Sequence, residues 1–177
     1  HGNERTGVDL VLDLQKQPID FIKPMIANPK AVKNNIRYVE TDLNRSAGKK
    51  LAVSYEEGLA TSLVTKIKPA DLVIEFHNTT AKNNTCAIVT TKPSKLHFQL
   101  MNHFGLTKVL VMPASGSLSG ISPSKFFSLE ISNSDKKFTN IKYLKEKLIK
   151  LNSINSNIIV QPKIYKFVGT SVIKITL

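Results

Sequence analysis

Apolar residues recur at helical spacing in three segments of the chain. They predict helices over residues 4–16, with Glu4 in the first turn, and over residues 59–67, where Pro69 is expected to end the helix. The third segment, residues 141–151, is interspersed with lysines and predicts a surface helix that packs by one face. A shorter helix is also compatible with residues 96–104.

Short apolar runs between turn-forming residues predict strands. Those runs are residues 20–27, 71–77, 85–91, 108–112 and 126–131. Because they alternate with helices, the expected fold class is α/β, with a mixed sheet flanked by helices. Two further β-rich runs, 158–168 and 171–177, have no helix between them and predict a small antiparallel appendage.

Length and composition favour one principal hydrophobic core. The chain has 177 residues, of which 41% are hydrophobic and 21% charged, as expected for a globular protein. We therefore predict a main domain over residues 1–154 and a small β-rich region over residues 155–177. No apolar run reaches the roughly 20 residues of a membrane-spanning helix, and no signal sequence opens the chain, so the expected location is cytoplasmic.

Charge and cysteine content narrow the function classes. The formal net charge of +12 favours anionic partners, but the basic residues are scattered rather than gathered in one stripe, so no nucleic acid is expected. A non-catalytic basic module that holds nucleic acid by charge alone stays as an alternative, and salt-dependent binding would be its signature. The single cysteine, Cys86, excludes an internal disulfide and predicts a small buried apolar side chain.

Three residues could form a hydrolytic metal site. Such a zinc site has three protein ligands and one open position, and two histidines with one glutamate are a known set. His1 and Glu4 are three residues apart, and His77 follows an apolar run, at the end of a strand where α/β sheets place their ligands. Spacing alone leaves the alternatives open, because His1 could be an exposed ring and His77 a core histidine.

Four segments carry a more specific signal: HGNERTG at residues 1–7, NPKAV at 28–32, IRYVETDLNR at 36–45 and EFHNTT at 75–80. Together they resemble the aspartoacylase and succinylglutamate desuccinylase family, and the aspartoacylases above all. The resemblance implies a zinc carboxypeptidase-like fold and one Zn²⁺ per chain, held by His1, Glu4 and His77.

The resemblance also implies catalytic and substrate-binding residues. A fainter match at SLEIS, residues 128–132, implies that Glu130 is the catalytic base. Arg37 would polarise the amide carbonyl. Asn44 and Arg45 would bind a substrate carboxylate. Asn78 is predicted as a further substrate-binding residue.

Asp42 is expected to orient the loop that contains Arg37 and Arg45. For the two arginines and for Glu130, an ordinary surface position is the alternative when the motifs are set aside.

The implied activity is hydrolysis of the amide bond of an N-acyl amino acid, foremost N-acetylaspartate to acetate and aspartate. The expected partner is therefore a small anionic acyl amino acid, and a homo-oligomer is compatible with the sequence. A succinylglutamate desuccinylase-type deacylase is the rival within the enzyme class. Relatives have a strand before the H-G-N-E segment and a longer connection after Arg45, so we expect the chain to be trimmed before His1 and to lack internal loops.

Overall fold

A computed structural model describes residues 1–82, 85–113, 116–154, 162–168 and 171–175. For residues 166–168 and 171–175 only the backbone is described. The helices are α1 (Arg5–Lys16), α2 (Pro29–Asn34), α3 (Tyr55–Ile67), α4 (Lys95–Phe104), α5 (Leu118–Ile121) and α6 (Ile141–Ile149). Single 3₁₀ turns lie at Leu43–Arg45, Pro123–Lys125 and Lys150–Ser153. The strands are β1 (Val73–Thr79), β2 (Cys86–Val89), β3 (Lys108–Val111), β4 (Phe126–Ser132), β5 (Lys163–Val168) and β6 (Ser171–Ile175).

The strands form one mixed sheet in the order β1-β4-β2-β3-β5-β6. β1 and β4 are parallel, as are β2 and β3, whereas β2 runs antiparallel to β4. The predicted α/β class with a mixed sheet is therefore confirmed. β5 and β6 form the predicted antiparallel pair, and β5 also joins the sheet in parallel to β3. The division at residues 154 and 155 stays a prediction, since residues 155–161 lie outside the described part of the chain.

Alternate residues of β4 face opposite sides of the sheet, and each side has its own apolar cluster. Phe127 belongs to the larger cluster, which includes residues of α1, α4 and α6. Phe126 belongs to the smaller cluster with Ala60 and Leu63 of α3. Glu130 is four residues after Phe126, so its side chain points to the same face of the sheet, the one that α3 covers.

The register across three strands places chemically active side chains in one row. His77 of β1 is paired with Glu130 of β4, which is paired in turn with Cys86 of β2. Paired residues on neighbouring strands point to the same face. Cys86 is partly exposed rather than buried as predicted, because it lies at the first position of β2.

The predicted strand over residues 20–27 is wrong. This segment contains no strand in the structure; it begins with a turn at residues 20 and 21 and ends with a bend at residue 27. Pro24 interrupts the run, and proline has no N–H to donate to a β-ladder.

Two helix starts also differ from the prediction, and one helix was not predicted. α3 begins at Tyr55, four residues before the predicted start at residue 59. α1 begins at Arg5, so Glu4 is its N-cap residue and lies before the first turn. α2 was not predicted, although Asn28 caps it by accepting a hydrogen bond from the Ala31 N–H and Pro29 is its first residue.

No helix within the described residues is both long enough and apolar enough to span a lipid bilayer.

Candidate metal centre and active site

Two glycines allow the N-terminal segment to pack closely against α2 and β1. A Cβ atom at Gly2 would lie 2.1 Å from the carbonyl carbon of Ala31 in α2. At Gly7, in the first turns of α1, it would lie 2.8 Å from the Cβ of Phe76 in β1. A side chain at Gly2 would push the N-terminal segment away from α2, and one at Gly7 would push α1 away from β1. The glycines of the H-G-N-E-R-T-G segment therefore hold His1 and Glu4 beside His77.

The three predicted metal ligands meet in the structure. One oxygen of Glu4 lies 2.5 Å from Nδ1 of His1, and the other lies 3.0 Å from Nδ1 of His77. Each residue offers one ligand atom such that these atoms all lie within 4.8 Å of one another. A tetrahedral zinc ion with bonds of about 2.1 Å holds its ligand atoms roughly 3.4 Å apart, so small side-chain rotations suffice to admit it. This donor set fits zinc.

The electrostatics of these residues favour a cation beside Glu4. Burial opposes ionisation of Glu4, but hydrogen bonds with His1 and His77 lower its pKa to about 2. Burial likewise opposes protonation of His77, yet the hydrogen bond to Glu4 and the charge of Glu75 raise its pKa to about 9. A divalent cation would take over the positive charge that the protonated imidazole supplies here.

Asp42 contacts His1, the first of the ligand candidates. Its Oδ1 lies 3.1 Å from Nε2 of His1, which leaves Nδ1 of that ring directed at Glu4. The same carboxylate accepts hydrogen bonds from Arg37 and from the backbone N–H of Asn44. Burial opposes the charge, but the hydrogen bonds to His1 and Asn44 lower the pKa of Asp42. Carboxylates in this arrangement fix the tautomer and orientation of a metal-binding histidine. The sequence analysis predicted that Asp42 orients the loop with Arg37 and Arg45, and it did not predict the contact with His1.

Glu75 is a site residue that the sequence reasoning missed. It lies two residues before His77 in β1, so both side chains point to the same face. One of its oxygens accepts a hydrogen bond of 2.7 Å from the Ser128 hydroxyl and lies 4.0 Å from Nε2 of His77. The period-2 spacing of E-F-H is the signal that could have identified it.

Glu130 lies beside the three ligand candidates in a cavity of about 480 Å³. Burial raises the pKa of its carboxyl, and the neighbouring His77 only partly offsets that rise. Among the described residues its carboxylate accepts no hydrogen bond, which leaves both oxygens available to a molecule in the cavity. A carboxylate with these properties can accept and return a proton.

Two arginines contribute positive charge to the same cavity. Arg37 lies 3.1 Å from Asp42 and 3.6 Å from Glu4, and half of its side chain is exposed. Arg45 is exposed, donates one hydrogen bond to the carbonyl oxygen of Asn44 and forms no ion pair within the described part of the chain. Arg37 is therefore held next to the ligand candidates, whereas the guanidinium of Arg45 has donors left for an anion.

The two predicted substrate-binding amides differ in their contacts. Asn44 places its side-chain nitrogen 3.4 Å from Nε2 of His77, so it borders the three ligand candidates. Asn78 lies on the α1 face of the sheet, where its amide group contacts Thr6 and Asn133 and its backbone N–H donates to Glu4. Asn78 thus anchors the start of α1. Its role in substrate binding, like that of Asn44, stays a prediction.

The family can be assigned once this arrangement is compared with known proteins. The family model described as "Succinylglutamate desuccinylase/Aspartoacylase catalytic domain" matches residues 1–141. The chain belongs to this family. The matched range contains every residue predicted for the site, from His1 to Glu130.

Curated relatives named aspartoacylase or N-acyl-aromatic-L-amino acid amidohydrolase also match this chain. An aspartoacylase of Xenopus tropicalis is 31% identical over 122 residues, covering 58% of this chain and 39% of its own length. The N-acyl-aromatic-L-amino acid amidohydrolase (carboxylate-forming) B of Danio rerio is 30% identical over an alignment of 162 positions, which covers 74% of this chain and 51% of the relative. The chain thus spans about half of these relatives' length or less.

Solved structures of the family share the fold. Murine aminoacylase 3 superposes with a TM-score of 0.71 at 24% identity, over 87% of this chain and 61% of the other. The succinylglutamate desuccinylase of Chromobacterium violaceum gives a TM-score of 0.73 at 16% identity, over 94% and 63%. These similarities confirm the predicted zinc carboxypeptidase-like architecture.

Proposed function

We propose that this protein is a zinc-dependent amidohydrolase that cleaves the amide bond of an N-acyl amino acid. The observation that carries the proposal is the convergence of His1, Glu4 and His77 beside Glu130, at one cavity, in a chain of a deacylase family. A cytoplasmic location remains a prediction that accompanies this function.

His1, Glu4 and His77 would hold one zinc ion, each with a single ligand atom. Bound there, zinc would supply a Lewis acid that polarises the amide carbonyl and acidifies water. Asp42 holds His1 from the far side of its ring, and Asn44 and Glu75 border Nε2 of His77. These contacts keep the Nδ1 atoms directed at Glu4.

Glu130 would act as the general base and then as the general acid. It takes a proton from the attacking water and delivers it to the leaving amine nitrogen, which leaves a carboxylic acid and a free amino acid as products. Arg37 would stabilise the negative charge that develops on the carbonyl oxygen. Arg45, with Asn44, would bind the substrate carboxylate, since the guanidinium fork matches that group bidentately.

N-acetylaspartate is the first substrate that we propose, because several relatives are named aspartoacylases. An N-acyl aromatic amino acid is the second candidate. It is favoured by the Danio rerio amidohydrolase B, which covers 74% of this chain and carries that substrate class in its name. A succinylated amino acid is the third, favoured by the desuccinylases among the structural neighbours.

A chelator experiment with a substrate panel tests the function. Release of the free amino acid would be measured from N-acetylaspartate, an N-acetyl aromatic amino acid and N-succinylglutamate, before and after zinc removal. We expect turnover of at least one, its loss with the chelator and its return with added zinc. Turnover that survives complete zinc removal would contradict the proposal.

The nucleic-acid alternative has a separate signature. A basic module would be retained on nucleic acid at moderate salt and would contain no zinc, and its affinity would fall steeply as salt is raised. A zinc-loaded chain that releases nucleic acid easily counts against it.

A further inference from the structure

We propose that Glu56 is a positioning residue that holds the active-site loop, defined as residues 37–45, in its working conformation. The inference rests on the proposed function, because this loop contains Arg37, Asp42, Asn44 and Arg45. Glu56 itself lies on α3 and does not line the cavity at the metal site. It therefore acts on the site through the loop.

The contacts of Glu56 form a compact set. Its carboxylate is fully buried and accepts hydrogen bonds from three consecutive backbone N–H groups, those of Val39, Glu40 and Thr41, at 2.6, 3.1 and 3.1 Å. The side-chain amide of Asn28 donates a fourth hydrogen bond, at 2.9 Å. Burial opposes the charge, but these hydrogen bonds lower the pKa of the carboxyl.

A buried carboxylate is stable only when several donors form hydrogen bonds with it. Glu56 and the active-site loop therefore stabilise each other. The loop supplies the donors that keep Glu56 charged, and the carboxylate fixes the direction of three successive peptide groups. A glutamine at this position could not accept all four hydrogen bonds, because its NH₂ group is a donor and would face other N–H donors.

Two further contacts connect the loop to the start of α3. The carboxylate of Glu40 accepts from the backbone N–H of Tyr55 at 2.6 Å, and the hydroxyls of Thr41 and Ser54 are 2.9 Å apart. The position of Asp42, the next residue, is thereby set relative to a rigid helix. Asp42 then contacts both His1 and Arg37.

The chain offers a matched control in the adjacent residue. Glu57 is on the same first turn of α3, and its carboxylate accepts from the backbone N–H groups of Val53 and Ser54, outside the active-site loop. Glu56→Gln and Glu57→Gln make the same chemical change and remove the same charge. A capping box accepts glutamine as well as glutamate, so Glu57→Gln should preserve the helix start.

The first readout is hydrogen exchange of the amides of residues 39–41, which requires neither zinc nor turnover. We expect Glu56→Gln to accelerate exchange of these amides by roughly tenfold or more, since hydrogen bonds to a charged acceptor are lost. Glu57→Gln should leave their exchange near that of the wild type. Equal exchange in the two variants would overturn the inference.

The second readout separates positioning from general destabilisation. In Glu56→Gln we expect KM to rise by roughly tenfold or more, because Asn44 and Arg45 would bind substrate less well, and kcat to fall as well, because Arg37 would be displaced. Loss of folded protein alone would lower kcat and leave KM unchanged. An unchanged KM would overturn the link to the site. If the wild-type chain neither binds zinc nor releases an amino acid, the proposed function fails, and the exchange experiment still decides the role of Glu56.

A measurement on the wild-type chain covers the case in which Glu56→Gln does not fold. Amide protons that donate to a buried carboxylate should resonate downfield of their random-coil positions in the NMR spectrum. We expect this of Val39, Glu40 and Thr41 together. Random-coil shifts for all three would overturn the inference.

Discussion

At the residue scale, Glu130 combines burial, a raised pKa and free carboxylate oxygens within the described structure. We predict that Glu130→Gln lowers kcat by about 10²- to 10⁴-fold, the usual contribution of a general acid–base group, while zinc content stays the same. Steady-state kinetics with parallel metal analysis would measure both. Cys86→Ala is the matched control, since Cys86 neighbours Glu130 in the same row of the sheet. A Glu130→Gln enzyme with wild-type kcat would remove this residue from the mechanism.

The pH dependence of kcat/KM follows from the same carboxyl. Glu130 must be ionised to accept a proton, and burial raises its pKa above that of an ordinary glutamate, about 4.3. Activity should therefore be lost, as pH falls, at a higher pH than for an ordinary carboxyl. A pH-rate profile measures this limb, which should disappear in Glu130→Gln. A limb at or below the ordinary range contradicts the assignment.

The residues of the site differ in how far the sequence could predict them. His1, Glu4 and His77 could be predicted because the motifs around them are specific, and the structure brings their ligand atoms together. Glu56 could not, because its partners are backbone N–H groups that no side-chain pattern records.

At the element scale, the close approach of α1 and β1 depends on Gly7. We predict that Gly7→Ala lowers the free energy of unfolding by about 1 to 3 kcal/mol, because the new Cβ would lie 2.8 Å from Phe76 and force a shift. Gly58→Ala in α3 is the control. Nothing lies within 4 Å of a Cβ at Gly58, so alanine should raise stability there by up to about 1 kcal/mol. Urea unfolding of both variants tests the opposite signs, and shifts in the same direction would contradict the packing.

Helices and strands were predictable where one face of the segment is apolar. α3, α4, α6 and the strands β1 to β4 lie close to their predicted positions. The structure of residues 20–27 was not predictable in this way. An apolar run favours a strand, but a strand forms only where a neighbouring strand is available for pairing. α2 has little apolar periodicity, and its only signal is the capping residue Asn28 followed by proline.

At the scale of the whole molecule, the strand order creates the site. β4 lies between β1 and β2, so Glu130 is placed next to His77 although the two are far apart in sequence. Nothing in the periodicity of a strand specifies its neighbour, so the strand order was not predicted. Only the family resemblance indicated Glu130 as a site residue. The alternation of side chains along β4 places Glu130 on the side of the sheet that α3 covers, and Glu56 of α3 contacts the active-site loop.

The most direct test of the central claim is a calorimetric titration of zinc into the chelator-treated chain. We predict saturation at one zinc per chain, and loss of that binding in His77→Ala, which removes one of the three ligand side chains. His103→Ala is the matched control, because His103 lies on α4 and its ring contacts the backbone of Lys147. Saturable binding of one zinc that disappears only in His77→Ala supports the account. Absence of saturable binding, or equal binding in His77→Ala, contradicts it.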